Sequence, residues 1–110
     1  MEHLCYIRGI ILFYYTEEIM ATVKFTRHLV RYFPALSDRV QATGCTVAEI
    51  IADLDRQFPG LADYIVDDQG ALRKHVNIFL GGDLVRDRQH LQDPVSETDE
   101  LYIFQALSGG

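Results

Sequence analysis

The clearest pattern in the chain is a stripe of apolar residues at helical spacing that follows a capping box. Thr46 and Glu49 are spaced so that the Thr46 side chain accepts the Glu49 backbone N–H while the Glu49 carboxylate reaches back to the Thr46 N–H. Apolar residues then recur at the spacing of an amphipathic helix, at Val47, Ile50, Ile51, Leu54 and Phe58. Pro59 and Gly60 stop the pattern, so we predict a helix between Thr46 and Phe58.

Alternation of apolar and polar residues predicts strands on both sides of this helix. The predicted strands cover residues 21–26, 38–42, 73–80, 84–86 and 101–105. Gly81, Gly82 and Asp83 tolerate positive φ and make the third and fourth of these strands a hairpin. We expect a loop over residues 27–37 and a short helical turn over residues 61–66.

This order of elements predicts an α+β fold of the ubiquitin-like β-grasp type, a mixed sheet with one main helix across one face. The domain occupies residues 20–110. Residues 1–19 differ in character and are interpreted as an N-terminal extension or an extra strand, since β-branched and aromatic residues favour a strand from Tyr6 to Tyr15. At the sheet edge such a strand could cover a docking face or promote self-association.

Composition and charge exclude several classes of protein. A length of 110 residues favours one domain, and a net charge of −6 disfavours a nucleic-acid binder. The longest apolar run, Ile10 to Tyr15, is far short of the roughly 18 residues that cross a bilayer. Acidic residues near the start argue against a signal peptide, and two widely spaced cysteines favour a reducing cytoplasm, so we expect a cytoplasmic protein without a membrane partner.

The side chains show no self-contained catalytic or metal site. The four histidines lack a metal-ligand spacing, and neither a Walker loop nor a GxSxG motif occurs. Cys45 precedes the predicted helix, where the helix dipole could lower a thiol pKa, but no base is paired with it and we interpret it as a small buried side chain.

The sequence closes with Leu107, Ser108, Gly109 and Gly110, a few residues after the last predicted strand. Together with Val76-Asn77 leading into a hairpin, this ending resembles the sulfur-carrier family of the molybdopterin-synthase small subunit and the thiamine-synthesis carrier. The resemblance runs from about Met20 to Gly110. Residues 72–83 look most like the branch that supplies sulfur for cysteine synthesis.

The resemblance implies a carrier protein and not an enzyme. An activating adenylyltransferase would adenylate the Gly110 carboxylate with ATP, and a sulfur donor would convert the adenylate to a thiocarboxylate for a sulfur-accepting enzyme of molybdopterin or cysteine biosynthesis. ATP is then used by the partner, and the chain itself binds no cofactor. Leu107, Ser108 and Gly109 would thread into the partner, because glycine passes close to another backbone. The alternatives are a protein modifier conjugated to lysines and a β-grasp interaction module.

Two pairs of residues are candidates for partner docking. Phe104 occupies the position where the family places an apolar contact residue, and Phe79 alternates with inward residues and could share the same outer face. The alternative is that both belong to the core or lie under the N-terminal segment. Arg73 and Lys74, with Arg39, could steer an acidic partner surface, although a solvated basic patch would give the same sequence.

Overall fold

A mixed sheet of five strands forms the body of the protein in a computed structural model. The structure describes residues 2–7, 10–15, 20–33, 36–37, 39–96 and 99–105, and in residues 2–15, 28 and 32 it describes the backbone alone. The strands are β1 (Glu2–Ile7), β2 (Ile10–Tyr15), β3 (Met20–Phe25), β4 (Arg39–Thr43), β5 (Val76–Leu80), β6 (Asp83–Leu84) and β7 (Glu100–Gln105). The helices are α1 (Arg27–Tyr32), α2 (Val47–Gln57) and α3 (Ala62–Ile65).

The strand order confirms the predicted β-grasp with a mixed sheet. Neighbouring strands are hydrogen-bonded in the order β4-β3-β7-β5-β6. β3 and β7 run parallel, with Val23 beside Leu101, whereas β4, β5 and β6 pair antiparallel with their neighbours. Because β7 lies in the middle of the sheet, the chain that follows Gln105 leaves from the centre of one sheet end.

The main helix begins at the predicted cap. Thr46 Oγ1 accepts the Glu49 N–H at 3.2 Å, as expected. The predicted return bond to Thr46 is wrong, because the Glu49 carboxylate accepts the N–H of Cys45 at 3.0 Å instead. The backbone before the cap passes so close to the first turn that a Cβ on Gly44 would lie 2.7 Å from the Glu49 Cβ. This close approach turns the Cys45 N–H toward the helix and requires glycine at position 44.

The hydrophobic core lies between α2 and one face of the sheet. The helix buries Val47, Ile50, Ile51 and Leu54, as the apolar stripe predicts, and Phe58 packs against the same core at the C-cap. The sheet contributes the fully buried side chains of Val23, Ile78, Leu101 and Ile103. Burying each such aliphatic side chain stabilises the fold by about 1.5–3 kcal/mol relative to exposure.

The structure corrects the loop expected over residues 27–37. Residues Arg27–Tyr32 form α1, which starts directly after β3 and buries Leu29 in the core. At its end Phe33 meets Tyr64 of α3 edge to face, with ring centroids 5.0 Å apart. A helix of six residues is too short to show a helical period in the sequence and is stabilised by packing.

The N-terminal segment is also different from the prediction. Where one strand was expected from Tyr6 to Tyr15, β1 and β2 pair antiparallel, with His3 opposite Tyr14. They form a separate two-stranded sheet and are not hydrogen-bonded to the five-stranded sheet, so they do not add an edge strand to it. Gly9 interrupts the apolar pattern between the two strands, which is the sequence signal for a break in a strand. Self-association through this segment stays a prediction.

Candidate functional site

The predicted tail residues Leu107, Ser108, Gly109 and Gly110 lie outside the described residues. The structure does define the root of the tail, which is Gln105 at the end of β7. Gln105 pairs with Val76 of β5 on one side, and Ile103 pairs with Phe25 of β3 on the other. The root is therefore paired with β5 alone, two residues beyond the last pairing of β7 with β3, and its position follows from the sheet register.

Phe79 and Phe104 share the outer face of the sheet, which confirms their predicted common face. In β7 the alternation that buries Leu101 and Ile103 turns Tyr102 and Phe104 to the side opposite α2. The Phe79 and Phe104 rings stack at 5.5 Å and 15°. Both phenylalanines are half-buried and neither is part of the core, so the alternative of core residues is wrong, whereas the alternative of cover by the N-terminal segment falls on side chains outside the described residues.

Tyr102 completes an aromatic patch that we define as Phe79, Tyr102 and Phe104. Its ring lies 5.7 Å from that of Phe104, and 41% of the residue is exposed. Leu84 stands opposite Phe79 in the β5–β6 pair and is 52% exposed. Aromatic side chains with accessible faces are common anchors of protein interfaces, because they bury a large area on docking.

A cavity of about 630 Å³ lies beside the patch, at the opposite end of β7 from the tail root. Phe79 and Tyr102 line it together with the Gly81-Gly82 turn and Glu100. Lys24 forms an ion pair with Glu100 at 3.4 Å on its rim. The internal Gly81 and Gly82 serve as turn residues with positive φ, as predicted.

Arg73 and Lys74 lie immediately before β5, in a turn where the sequence predicted the start of the strand. The strand begins later because Arg73 N–H donates to the Ile65 carbonyl at 3.0 Å and Arg73 Nε donates to the Asp63 carbonyl at 2.8 Å, so residue 73 is bound to α3 and not to β7. Lys74 is exposed. Because Val76 pairs with Gln105, both basic residues stand at the sheet end where the tail begins.

Arg88 fixes this turn, and the sequence analysis missed it. Its Nη2 donates to the carbonyls of Arg73 at 2.8 Å and Val76 at 3.0 Å, and its Nη1 donates to Asn77 Oδ1 at 3.0 Å. The Val76-Asn77 motif therefore has a structural role in this chain. No local pattern identifies Arg88, since its partners are 11 to 15 residues away in sequence.

The loop that carries Arg88 is organised by two carboxylates, of which Asp93 accepts the backbone N–H groups of Arg86 and Asp87 at 2.9 Å. Asp87 accepts the backbone N–H groups of Gln89 at 3.2 Å, His90 at 2.9 Å and Gln92 at 3.3 Å. These bonds, that of His90 above all, hold the pKa of Asp87 below its usual value, although partial burial acts in the opposite direction. A carboxylate that stays ionised keeps the loop, and with it Arg88, in place at neutral pH.

Neither Cys45 nor the His, Asp and Glu side chains of the described residues form a reactive thiol site or a metal centre. Cys45 is completely buried, as predicted, but its sulfur is disulfide-bonded, so it presents no reactive thiol and the argument from the cysteines for a reducing compartment does not hold. Across the described ranges no group of three or more His, Cys, Asp or Glu side chains could hold a metal ion. The same ranges include no helix long and apolar enough to span a bilayer.

Comparison with known proteins adds family information to this geometry. A family model described as the ThiS family matches residues 23–110. The sulfur carrier protein CysO of Mycobacterium bovis is 30% identical over 73 residues, which are 64% of this chain and 78% of that protein. The residues matched by the family model exclude β1 and β2.

Solved structures show the same fold. A chain in the crystal structure of the Amycolatopsis orientalis BexX/CysO complex is 29% identical, with a TM-score of 0.71 over 82% of this chain and 99% of that one. The crystal structure of Mycobacterium tuberculosis CysO is 26% identical, with a TM-score of 0.69 over 79% of this chain and 99% of that one. SAMP1 from Haloferax volcanii, at 24% identity and a TM-score of 0.69, shares the fold over 83% of this chain and 99% of that one.

Proposed function

This chain belongs to the ThiS family, and from that premise we propose that it is a sulfur carrier whose Gly110 carboxylate is adenylated and then converted to a thiocarboxylate. The observation that carries the proposal is the extent of the family match, which continues past β7 to Gly110. β7 supports it, because the strand that precedes residues 106–110 is a central strand of the sheet and ends at Gln105.

The chemistry explains why such a carrier needs a partner. A terminal carboxylate has a pKa of about 3.5, so it is ionised at neutral pH and is a poor acyl donor. In the activating adenylyltransferase a Gly110 carboxylate oxygen attacks the α-phosphorus of ATP, and pyrophosphate leaves. A sulfide-level donor then attacks the acyl carbon, AMP leaves, and the thiocarboxylate remains. ATP and the catalytic groups belong to the partner, so this chain acts as a substrate, and we propose the cytoplasm, where ATP is supplied, as its location.

The folded part of the carrier provides the surface that contacts its partner enzymes. Extended, the residues from Leu107 to Gly110 reach at most about 14 Å, so they can enter a narrow pocket while the sheet stays outside. The aromatic patch adjoins the tail root through Phe104, one residue before Gln105. We propose that this patch rests against the activating enzyme and, later, against the sulfur-accepting enzyme.

The CysO relatives favour cysteine biosynthesis over molybdopterin biosynthesis as the destination of the sulfur. The small archaeal modifier structures share the fold at 24% identity or less, so they supply no argument that this chain modifies lysines.

Intact mass spectrometry tests the proposal. The purified chain, an activating enzyme, ATP and sulfide are expected to yield a product heavier by the difference between sulfur and oxygen. Deletion of Gly110 and addition of one alanine after it are matched controls, which should both block the change without altering thermal stability, because a terminal tail contributes little to folding. Covalent adducts with lysines would favour the modifier, and modification of the Gly110-deleted chain would refute the terminal site.

A further inference from the structure

Five basic side chains are gathered at the end of the sheet from which the tail leaves. We define this basic collar as Arg27, Arg31, Arg39, Arg73 and Lys74. Four of them are exposed and Arg73 is half-buried. They come from three separate parts of the chain, so the cluster is created by the fold.

The sheet register places each part of the collar. The Thr26 N–H donates to the Ile103 carbonyl at 3.3 Å, so α1, with Arg27 and Arg31, begins beside the last residues of β7. Arg39 opens β4 opposite Lys24, near the end of β3. Arg73 and Lys74 precede Val76, which pairs with Gln105. The collar therefore flanks the tail root on both sides.

These charges are available to a partner. Among the described residues, Arg27, Arg31, Arg39 and Lys74 form no ion pair. Asp63 stands beside Arg73, but its contact with Arg73 is through the backbone carbonyl. The other end of the sheet carries acidic residues instead, namely Asp83, Asp99 and Glu100.

The chain as a whole has a net charge of −6, yet its tail end is basic. A separation of charge of this kind orients a protein as it approaches a partner and raises the rate of productive encounter. If the partner presents an acidic surface, that surface repels the acidic end of this protein and attracts the basic end from which the tail leaves.

We infer that the basic collar docks against an acidic protein surface around the entrance to the activating enzyme's adenylation pocket. This inference rests on the proposed function. The phosphates of ATP are a less suitable partner, because the five residues after Gln105, when extended, separate them from the collar by up to about 17 Å. That distance exceeds the Debye length of about 8 Å at physiological salt, so the collar interacts mainly with the rim.

Charge reversal tests the collar directly. Arg27→Glu, Lys74→Glu and their combination are compared in steady-state pyrophosphate release by an activating enzyme, at low and high salt. Glutamate at position 27 occupies the first turn of α1, where a negative charge is favourable, so the fold is kept. Arg86→Glu is the matched control for each single variant, since Arg86 is exposed, lies outside the collar and gives the same change in charge as one collar substitution.

We expect the double variant to lose about tenfold or more in kcat/KM at low salt, through KM, with kcat unchanged. The loss should largely disappear at about 1 M salt, where the Debye length is about 3 Å. Collar variants that behave like Arg86→Glu, or a loss that salt does not reduce, would overturn the inference while wild-type adenylation upholds the proposed function. Failure of the wild-type chain to be adenylated would overturn both.

Discussion

Arg88 and Asn77 are joined by a hydrogen bond of 3.0 Å between Nη1 and Oδ1, which connects the loop after β6 to the second residue of β5 on the outer face of the sheet. Nη2 of the same guanidinium donates hydrogen bonds to the carbonyl oxygens of Arg73 and Val76. One arginine thus supports both the turn that carries Arg73 and Lys74 and the strand that pairs with the tail root. The planar fork of arginine suits three acceptors in this way, whereas an ammonium group does not.

Arg88→Ala is expected to lower the free energy of unfolding by about 1–3 kcal/mol, because three part-buried acceptors lose their donor. Arg88→Lys should recover only part of this loss. Urea denaturation measures both. Arg86→Ala serves as the control and should stay within about 0.5 kcal/mol of the wild type. Equal stability of Arg88→Lys and wild type would show that the fork geometry is unimportant.

Two threonines precede helices, and only one of them makes a side-chain cap. Thr46 Oγ1 accepts the Glu49 N–H, whereas Thr26 Oγ1 is buried without a hydrogen-bond partner at the start of α1. Thr46→Val should therefore cost about 1 kcal/mol of stability. Thr26→Val should be neutral or stabilising, because it removes an unsatisfied buried hydroxyl. Thermal unfolding of the two variants checks the contrast, and a larger loss from Thr26→Val would contradict it.

Asp53 connects α2 to the free edge of β4. Its carboxylate accepts the Thr43 N–H at 3.0 Å and the Gln57 amide at 3.0 Å, and it pairs with Arg56 at 2.8 Å. Burial raises the pKa of Asp53, but these bonds together outweigh burial and hold the pKa below its usual value of 3.8. Because the folded-state pKa is the lower one, the ionised group stabilises the fold above the unfolded value and loses this effect as pH falls through the folded value.

Asp53→Asn should therefore cost about 1 kcal/mol of stability near neutral pH, where the wild-type carboxylate is charged. The difference between variant and wild type should shrink as the pH is lowered below 3.8. Urea denaturation over this pH range provides the measurement. Asp68→Asn, at an exposed turn position, is the control. A difference that is constant down to strongly acidic pH would exclude ionisation of Asp53 as the cause.

Phe104→Ala is expected to weaken docking more than folding. The ring stacks on Phe79 outside the core, so its loss removes part of the aromatic patch while α2 stays packed. We expect KM for the activating enzyme to rise by about tenfold or more, as for a central interface anchor. Phe58→Ala is the matched control, since Phe58 packs against the core from the helix side and its loss should lower thermal stability without raising KM. If Phe104→Ala lowered thermal stability without raising KM while Phe58→Ala raised KM, docking would have to use a different face of the protein.

The elements that local sequence encodes were predicted well. The Thr46–Glu49 spacing and the apolar stripe identified α2, and alternation identified β3, β5 and β7, because capping, helical period and strand period are properties of neighbouring residues. The same alternation placed Phe79 and Phe104 on one face. Helix α1 was missed, since six residues stabilised by Leu29 in the core show no period of their own.

The sequence alone predicted the β-grasp domain, because turn residues, strand alternation and one capped helix are local features, and its resemblance to the sulfur-carrier family agrees with the family match over residues 23–110. Tertiary structure decided what surrounds the tail root. The parallel pairing of β3 with β7 brings Arg27 and Arg31 to the same sheet end as Arg73 and Lys74. Arg88 is fixed by partners at distant positions in the chain. Such neighbours depend on long-range burial and strand register, and no local pattern of residues encodes either of them.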